Sequence, residues 1–396
     1  MKVIIVAESF LPSVNGVTHS VLHVIDHLQE AGHQVEVLAA SPAGGPPTAR
    51  AGGTTPPGPP GPASGDVSDR CRAPVTWLPS VAVPGYPSFR VAAPGVWRLR
   101  ALLGDMAPDV VHLAAPFVLG WDAVRATGQL GIPSIAVYQT DLPSYAARYG
   151  LGALEPVLWR RVRDVHAAAD RTQAPSRWSA AQLRAHQVPR VHRWERGVDA
   201  SCFHPDRRSA TTRAGWAGPD QVVVGFVGRL AAEKQVEDLR ALEGVEGIKL
   251  VVIGDGPMRP RLERMLPTAH FTGWMGGVEL AGAVASLDVV VHPGENDTFG
   301  QTIQEAMASG VPVVATARGG PVDLIEHGRT GMLYPPGRLD VLRQHIEQLV
   351  TDGEERRSLG RAGRETVQGR TWSRMTDRLI QHYTDTIAVA GLSTAA

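Results

Sequence analysis

Hydrophobic positions along the chain alternate between two patterns. Short continuous apolar runs, the first being Val3 to Ala7, are what a strand buried on both faces requires. Between such runs, apolar residues recur at three and four positions, as at Val21, Val24, Ile25 and Leu28, which marks one face of a helix. Gly32 stands where a helix C-terminus favours glycine, and Val35, Val37 and Leu38 begin a second strand. This is a βαβ unit, the element of a parallel sheet covered by helices. Further runs at Val75–Leu78, Val110–Leu113 and Ile135–Val137 extend the same sheet.

A second series starts after Arg196-Gly197-Val198-Asp199. Its expected strands are Val222–Val227, Leu250–Ile253, Val289–His292 and Val311–Ala315, with helical patterns at Val236–Leu242, Pro260–Met265 and Gln301–Ser309. A helix at Val341–Leu349 and an amphipathic segment at about 373–388 (Met375, Leu379, Ile380, Tyr383) follow. From about 41 to 73 the pattern collapses into Pro, Gly, Ala and Thr, which cannot bury enough apolar surface to order itself. That stretch is expected to be a mobile surface loop inserted in the first domain. The expected architecture is α/β, with two doubly wound halves. Such sheets bind ligands at the carboxyl ends of their strands, so the chemistry is expected in the cleft between the halves.

Composition narrows the function. The chain has 396 residues, a length suited to two or three domains, and its 39 basic side chains balance its 39 acidic ones. That balance lacks the positive field of a nucleic-acid binder, so no nucleic-acid partner is expected. Cys71 and Cys202 fit no metal spacing and no disulfide scaffold. No run approaches the roughly 18 apolar residues of a membrane span. The Val3–Ala7 run is too short for a signal-peptide core, so the expected location is cytoplasmic. Lysine is rare: only Lys2, Lys234 and Lys249 occur, which gives a lysine inside a motif extra weight.

Four motifs carry candidate chemistry. The turn Phe10 to Thr18, holding Gly16, separates the first strand from the first helix. Helix-start N–H groups favour an anion there, although a simple tight turn fits equally. Gly228-Arg229-Leu230-Ala231-Ala232-Glu233-Lys234 follows the Val222–Val227 strand. A guanidinium fork and a mobile ammonium from one loop can neutralise a diphosphate, whereas most such runs are solvated turns. Each charge-assisted hydrogen bond of that kind contributes about 1.5–3 kcal/mol. The third motif runs from Val291 to Ala306. Thr298-x-x-Gln301 has capping-box spacing, which predicts a helix start whose N–H groups at Gly300, Gln301 and Thr302 receive a phosphate. Asp297 precedes that start and Glu305 lies about two turns inside. As hydrogen-bond acceptors, the two can hold sugar hydroxyls on either side of a diphosphate. Against this stands a surface acid and an exposed helical Glu. Glu295-Asn296-Asp297 also has the look of a divalent-metal pair, but Arg229 and Lys234 already supply the countercharge, so no metal is expected.

In the fourth motif, Gln139, Thr140 and Asp141 follow the Ile135–Val137 strand and offer an amide, a hydroxyl and a carboxylate to a polyhydroxyl acceptor. A Thr/Asp helix cap explains the same spacing. His112 fits a buried core histidine better than a catalyst. The Arg-rich stretch Leu158 to Arg163 is either a solvated face or a contact for an anionic membrane surface, which would place the protein at the inner face of the membrane.

The third motif resembles the acid-x₇-acid signature of retaining glycosyltransferases of the GT-B fold, family 4, standing here as Asp297 through Glu305 with Phe299-Gly300 between. Ala7 to Pro12 with Asn15-Gly16-Val17 resembles that family's N-terminal loop, and Gly228-Arg229 with Glu233-Lys234 its "GRL…EK" segment. Gly254-Asp255-Gly256-Pro257 is similar to its "G-x-G-P" turn, and Gly197-Val198-Asp199 with Phe203 and Pro205 to its interdomain segment. Five motifs in order make the resemblance strong. The wording around Gln139, Arg193 to Asp199 and Thr298 to Glu305 is most similar to bacterial GDP-mannose-dependent α-mannosyltransferases acting on glycolipids.

The resemblance implies two Rossmann-like domains, 1–196 and 197–371, facing across a cleft, with 372–396 crossing back to the first. It implies that Arg229 and Lys234 bind the diphosphate and that Asp297 takes hydroxyls of the transferred sugar and Glu305 the ribose. Gly16 and residues 298–302 (Thr298, Phe299, Gly300, Gln301, Thr302) would approach the donor, with Gln139, Thr140 and Asp141 on the acceptor side. The implied reaction moves a hexose, mannose from GDP-mannose, to a polyhydroxyl or lipid-linked acceptor. The nucleotide sugar is a substrate, and no cofactor or metal is needed. A UDP-sugar donor with a small-molecule acceptor, a nucleotide-sugar epimerase and a non-catalytic nucleotide-binding protein are the alternatives. Two departures stand out: Asp297 where the family commonly has Glu, and Gln139-Thr140 where many members have His-Thr. Gln cannot act as a base, so the departing phosphate would take the acceptor proton in a same-face reaction.

Overall fold

The computed structural model describes residues 1–13, 15–42, 50–51, 71–83 and 86–394. The stretch expected as a Pro/Gly loop lies mostly outside the described residues. The chain forms two compact units. The first comprises Met1–Thr140, Leu154–Arg196 and Trp372–Ala396, and the second Asp141–Ala153 and Gly197–Thr371. The segment Asp141–Ala153, read from sequence as part of the first domain, therefore groups with the second. Its polar contacts explain why: Tyr149 Oη donates to Glu233 at 2.7 Å, and Arg148 lies 3.5 Å from Glu295.

The first unit is built on β1 (Lys2–Ala7), β2 (Gln34–Ala40), β3 (Arg50–Ala51) and β4 (Val75–Leu78). The hairpin β5 (Ser80–Val83) and β6 (Tyr86–Ala92) forms its own small sheet. Next come β7 (Val110–Ala114), β8 (Ser134–Val137), β9 (Arg171–Ala174) and β10 (Val191–Arg193). The main sheet runs β10-β9-β8-β7-β1-β2-β4-β3, and only β3 pairs antiparallel. Strand order reverses at β1, flanked by β2 and β7.

Apolar stripes cover both faces of that sheet. Val24, Ile25 and Leu28 of the helix Gly16–Glu30 share a core with Leu379 and Tyr383 of the final helix, Trp372–Thr394. Leu99, Leu103, Leu119 and Val124 fill the other face. His112 on β7 is buried, and its Nδ1 lies 2.6 Å from Tyr383 Oη. Burial lowers its pKa to about 3, so it is a neutral core residue.

The second unit holds β11 (Val222–Val227), β12 (Ile248–Ile253), β13 (His270–Gly273), β14 (Val289–His292), β15 (Val313–Thr316) and β16 (Met332–Tyr334). All are parallel, in the order β13-β12-β11-β14-β15-β16. β11 and β14 are adjacent although two strands separate them in sequence, so the order reverses between them. Their carboxyl-end loops thus flank the crevice where doubly wound sheets bind ligands. The Val236–Leu242 segment is a 3₁₀ turn series rather than the expected α-helix, its cap Gln235 standing at φ 51°. No described helix is long and apolar enough to cross a membrane.

Candidate functional site

The β11 loop delivers Arg229 and Lys234, and the β14 loop delivers Asp297. Neither cation stands alone. Arg229 Nη2 donates to the carboxylate of Glu233, which is buried and also accepts the Tyr149 hydroxyl at 2.7 Å. Burial alone would raise the Glu233 pKa, but the Arg229 charge and the two hydrogen bonds bring it below its ordinary value. Lys234 Nζ bonds Asp297 Oδ1, and His292 Nε2 lies 2.7 Å from Asp297 Oδ2. Burial pushes Asp297 upward too, yet Lys234 and His292 outweigh it and hold the carboxyl well below the usual carboxylate range.

Glu305 differs. It is buried inside the helix Gln301–Ala308, and no ion pair reaches it among the described residues. Desolvation raises its pKa to about 8, with only a small opposing contribution from Gln301. Burial thus favours the protonated form of Glu305.

The helix start departs from the capping-box expectation. Gly300, not Thr298, is the N-cap; it stands at φ 93° with no side-chain cap bond. A Cβ there would lie 2.9 Å from Ile303 Cδ1, so both backbone and space call for glycine. The first turn of that helix carries Gln301 and Thr302, whose N–H groups have no partner within a helix at such a start. Behind the loop, a Cβ on Gly320 would fall 2.2 Å from Phe299 O, and Gly320 N donates to Asp297 O at 2.7 Å. The Gly319-Gly320 pair thus lets a neighbouring turn clamp the Asp297–Phe299 backbone. The sequence reading missed this pair and Tyr149, and it gave no role to His292 and Glu233, which stand inside its motifs. An acid between Arg229 and Lys234 was the one available signal.

Glu295 and Asp297 do not share a partner. Glu295 faces Gln235 Nε2 at 3.2 Å, Arg148 at 3.5 Å and Arg318 at 3.7 Å, whereas Asp297 faces Lys234 and His292.

In the first unit, Asn15 caps the helix Gly16–Glu30 by accepting from Val17 N and Thr18 N at 2.9 and 3.1 Å. A Cβ on Gly16 would lie 3.3 Å from Arg196 Nη1, and Arg196 Nη2 donates to Gln139 Oε1 at 2.8 Å. The Gly16 turn, Gln139 and Arg196 are thereby brought together. Thr140 follows Gln139 and ends this portion of the unit. Asp141 instead belongs to the second unit and caps the helix Leu142–Arg148, accepting from Ser144 N at 3.2 Å. The capping role that the sequence offered as the competing explanation is thus present for Asp141. Glu8, after β1, accepts from Phe117 N and Gly120 N at 2.8 Å each, while burial raises its pKa to about 7.

Comparisons with known proteins show the family and the fold. Residues 14–201 match the family described as Glycosyltransferase Family 4, and residues 211–366 that described as Glycosyl transferases group 1. The chain belongs to the family 4 glycosyltransferases, enzymes built on two Rossmann-like α/β domains of the GT-B type. It is 46% identical to a GDP-mannose-dependent alpha-mannosyltransferase of Mycolicibacterium smegmatis, over 97% of either chain. Identity is 44% to the protein of the same description in Mycobacterium tuberculosis, over 97% of this chain and 96% of that one. Among solved structures, sucrose-phosphate synthase from Thermosynechococcus elongatus superposes with a TM-score of 0.80 at 20% identity. That match covers 98% of this chain and 99% of the other, and it shows the fold.

Proposed function

We propose that the protein transfers a mannosyl group from GDP-mannose, with retention, to a hydroxyl of a glycolipid or other glycoside. The observation that carries this reading is the pairing of both β11-loop cations with carboxylates at the β11/β14 reversal. It occurs in a chain alike along nearly its whole length to mannosyltransferases that use GDP-mannose.

In this reading, Arg229 and Lys234 bind the diphosphate, and the N–H groups at 300–302 (Gly300, Gln301, Thr302) help receive it. Asp297, kept ionised, accepts hydroxyls of the mannosyl ring, and Glu305 meets the ribose. As the bond from the anomeric carbon to the phosphate oxygen breaks, negative charge grows on the leaving GDP, where the two cations stabilise it. The acceptor oxygen bonds to the same face of that carbon, and its proton passes to the departing phosphate. No protein base is required, which suits Gln139 at the position where many relatives have His. Gln139 and Thr140 offer an amide and a hydroxyl to the acceptor, and the Gly16 turn stands beside them. The reaction as written uses no metal or other cofactor.

A membrane-surface location is part of the proposal. Leu154 and Val157 are 47% and 64% exposed, one helical turn apart. Arg160 continues the same face with its side chain 77% exposed, while Trp159, Val162 and Val165 face inward. An exposed apolar pair beside arginines is the pattern that lies on anionic lipid.

Thermal-shift measurements with GDP, UDP and ADP test the donor, since a specific ligand raises stability by RT ln(1 + [L]/Kd). Stabilisation by GDP, followed by mannose transfer to a glycolipid extract, is expected. Stabilisation by UDP but not GDP would move the donor to a UDP-sugar.

A further inference from the structure

We propose that Tyr149 is a positioning residue for the leaving-group site, aiming Arg229 through Glu233. The inference rests on the functional reading above and extends it to a residue outside every motif. Chain order alone would place Tyr149 with the first unit, yet Asp141–Ala153 groups with the second. There the Tyr149 hydroxyl donates to Glu233 Oε2 at 2.7 Å, while Arg229 Nη2 bonds Glu233 Oε1. Both oxygens of one buried carboxylate are thus engaged, one by the residue that sets its rotation and one by the guanidinium.

The chemistry of the three groups makes the order of control clear. Glu233 is buried, so its side chain has no water shell to reorient it. The Arg229 side chain is 45% exposed and carries the flexible arm, so the carboxylate it grips helps to set its direction. Tyr149 is neutral, because burial and the neighbouring Glu233 push its pKa up, so it remains a hydrogen-bond donor through the working pH range. One residue earlier in the segment, Arg148 lies 3.5 Å from Glu295 on the β14 loop. That contact holds the segment to the loop bearing Asp297, independently of the tyrosine hydroxyl. Removing the hydroxyl should therefore leave the segment in place and release only the carboxylate. A guanidinium misplaced by a fraction of an ångström stabilises the departing diphosphate less in the transition state than in the bound state.

The test is a double-mutant cycle on the full chain with Tyr149→Phe, Arg229→Ala and the pair. Mannose transfer from GDP-mannose and affinities for GDP, UDP and ADP are measured for all four proteins. Tyr149→Phe should lower kcat roughly tenfold with a smaller change in KM, and should leave the melting temperature within about 2 °C. In the Arg229→Ala background, the same substitution should change neither rate nor affinity. An unchanged kcat in Tyr149→Phe, or an equal loss in both backgrounds, overturns the proposal. If no mannose is transferred, the functional reading has failed. The cycle is then judged on affinity for whichever nucleoside diphosphate binds: coupling supports the role of Tyr149, and additivity overturns it. A chain that binds none of the three overturns both.

Discussion

The strand-end loops of the two sheets differ in their charge. Around the β11/β14 reversal, Arg229 and Lys234 each grip a buried carboxylate, and Asp297 adds His292 to its partners. At the corresponding ends of the first sheet, the groups brought together are a glycine turn, the Gln139 amide and the Arg196 guanidinium bonded to it. Burial raises the pKa of Glu8, the buried acid nearest the β1 end, to about 7. A region rich in paired full charges can exchange those partners for a diphosphate; an amide held by a single guanidinium beside a glycine turn is suited to sugar hydroxyls. The contrast repeats on a smaller scale inside the second unit. Asp297 and Glu305 stand eight positions apart and are both buried, yet Lys234 keeps one ionised while burial keeps the other protonated.

Lys234→Ala should break the contrast most severely. In the proposed reaction it removes a leaving-group cation, and it strips Asp297 of its lysine partner, so kcat/KM is expected to fall about 10³-fold. Steady-state transfer assays measure this, and a drop below tenfold would discard the role given to Lys234.

Glu305→Gln should act on stability and activity in opposite directions. In the folded protein the carboxyl stays protonated up to about pH 8, whereas in the unfolded chain it ionises near 4.5. Between those values the folded state binds the extra proton, so this residue's contribution falls as pH rises and levels off above 8. At pH 7 the loss amounts to about 3 kcal/mol. The glutamine variant should lack that slope in melting curves taken from pH 5 to 9, while its affinity for GDP falls. A parallel pH profile for both proteins would contradict the upward shift that burial gives this acid.

Gln139→Ala should sharpen the comparison from the other side. The acceptor KM is expected to rise roughly tenfold with GDP affinity unchanged, because the amide offered to the acceptor, itself bonded to Arg196, is lost. Calorimetric titration with GDP and acceptor kinetics separate the two. The smallest effect is expected for Arg160→Glu. Sedimentation with anionic vesicles should weaken about fivefold for each basic residue lost, or somewhat more for a reversal, with transfer to a water-soluble acceptor unaltered.

The legible parts of the molecule were those dominated by local pattern. Val222–Val227 and Val289–His292 form strands with the expected bounds because every position in them is buried. Arg171–Ala174 and Met332–Tyr334 were missed: the first is polar in sequence, and the second is only three residues long. Asp297 and Glu305 were singled out by their spacing, but their opposite protonation could not be, since it depends on Lys234, 63 positions from Asp297. Tyr149 and Glu233 are 84 positions apart and share no pattern. The Thr298 capping box failed because Gly300 takes a left-handed conformation, so the helix starts later than a threonine cap would allow.

The final helix has a consequence for how the chain matures. Leu379 and Tyr383 sit fully buried beside residues of β1 and β2, and Trp194 Nε1 donates to Met375 O at 2.7 Å. During translation, the first unit must therefore wait, its hydrophobic floor open, until every residue of the second has left the ribosome. The second unit needs only Asp141–Ala153 from the earlier half, already made, and so can complete first. A nascent chain halted before residue 372 would expose the half-built core to chaperones, although the second unit was finished.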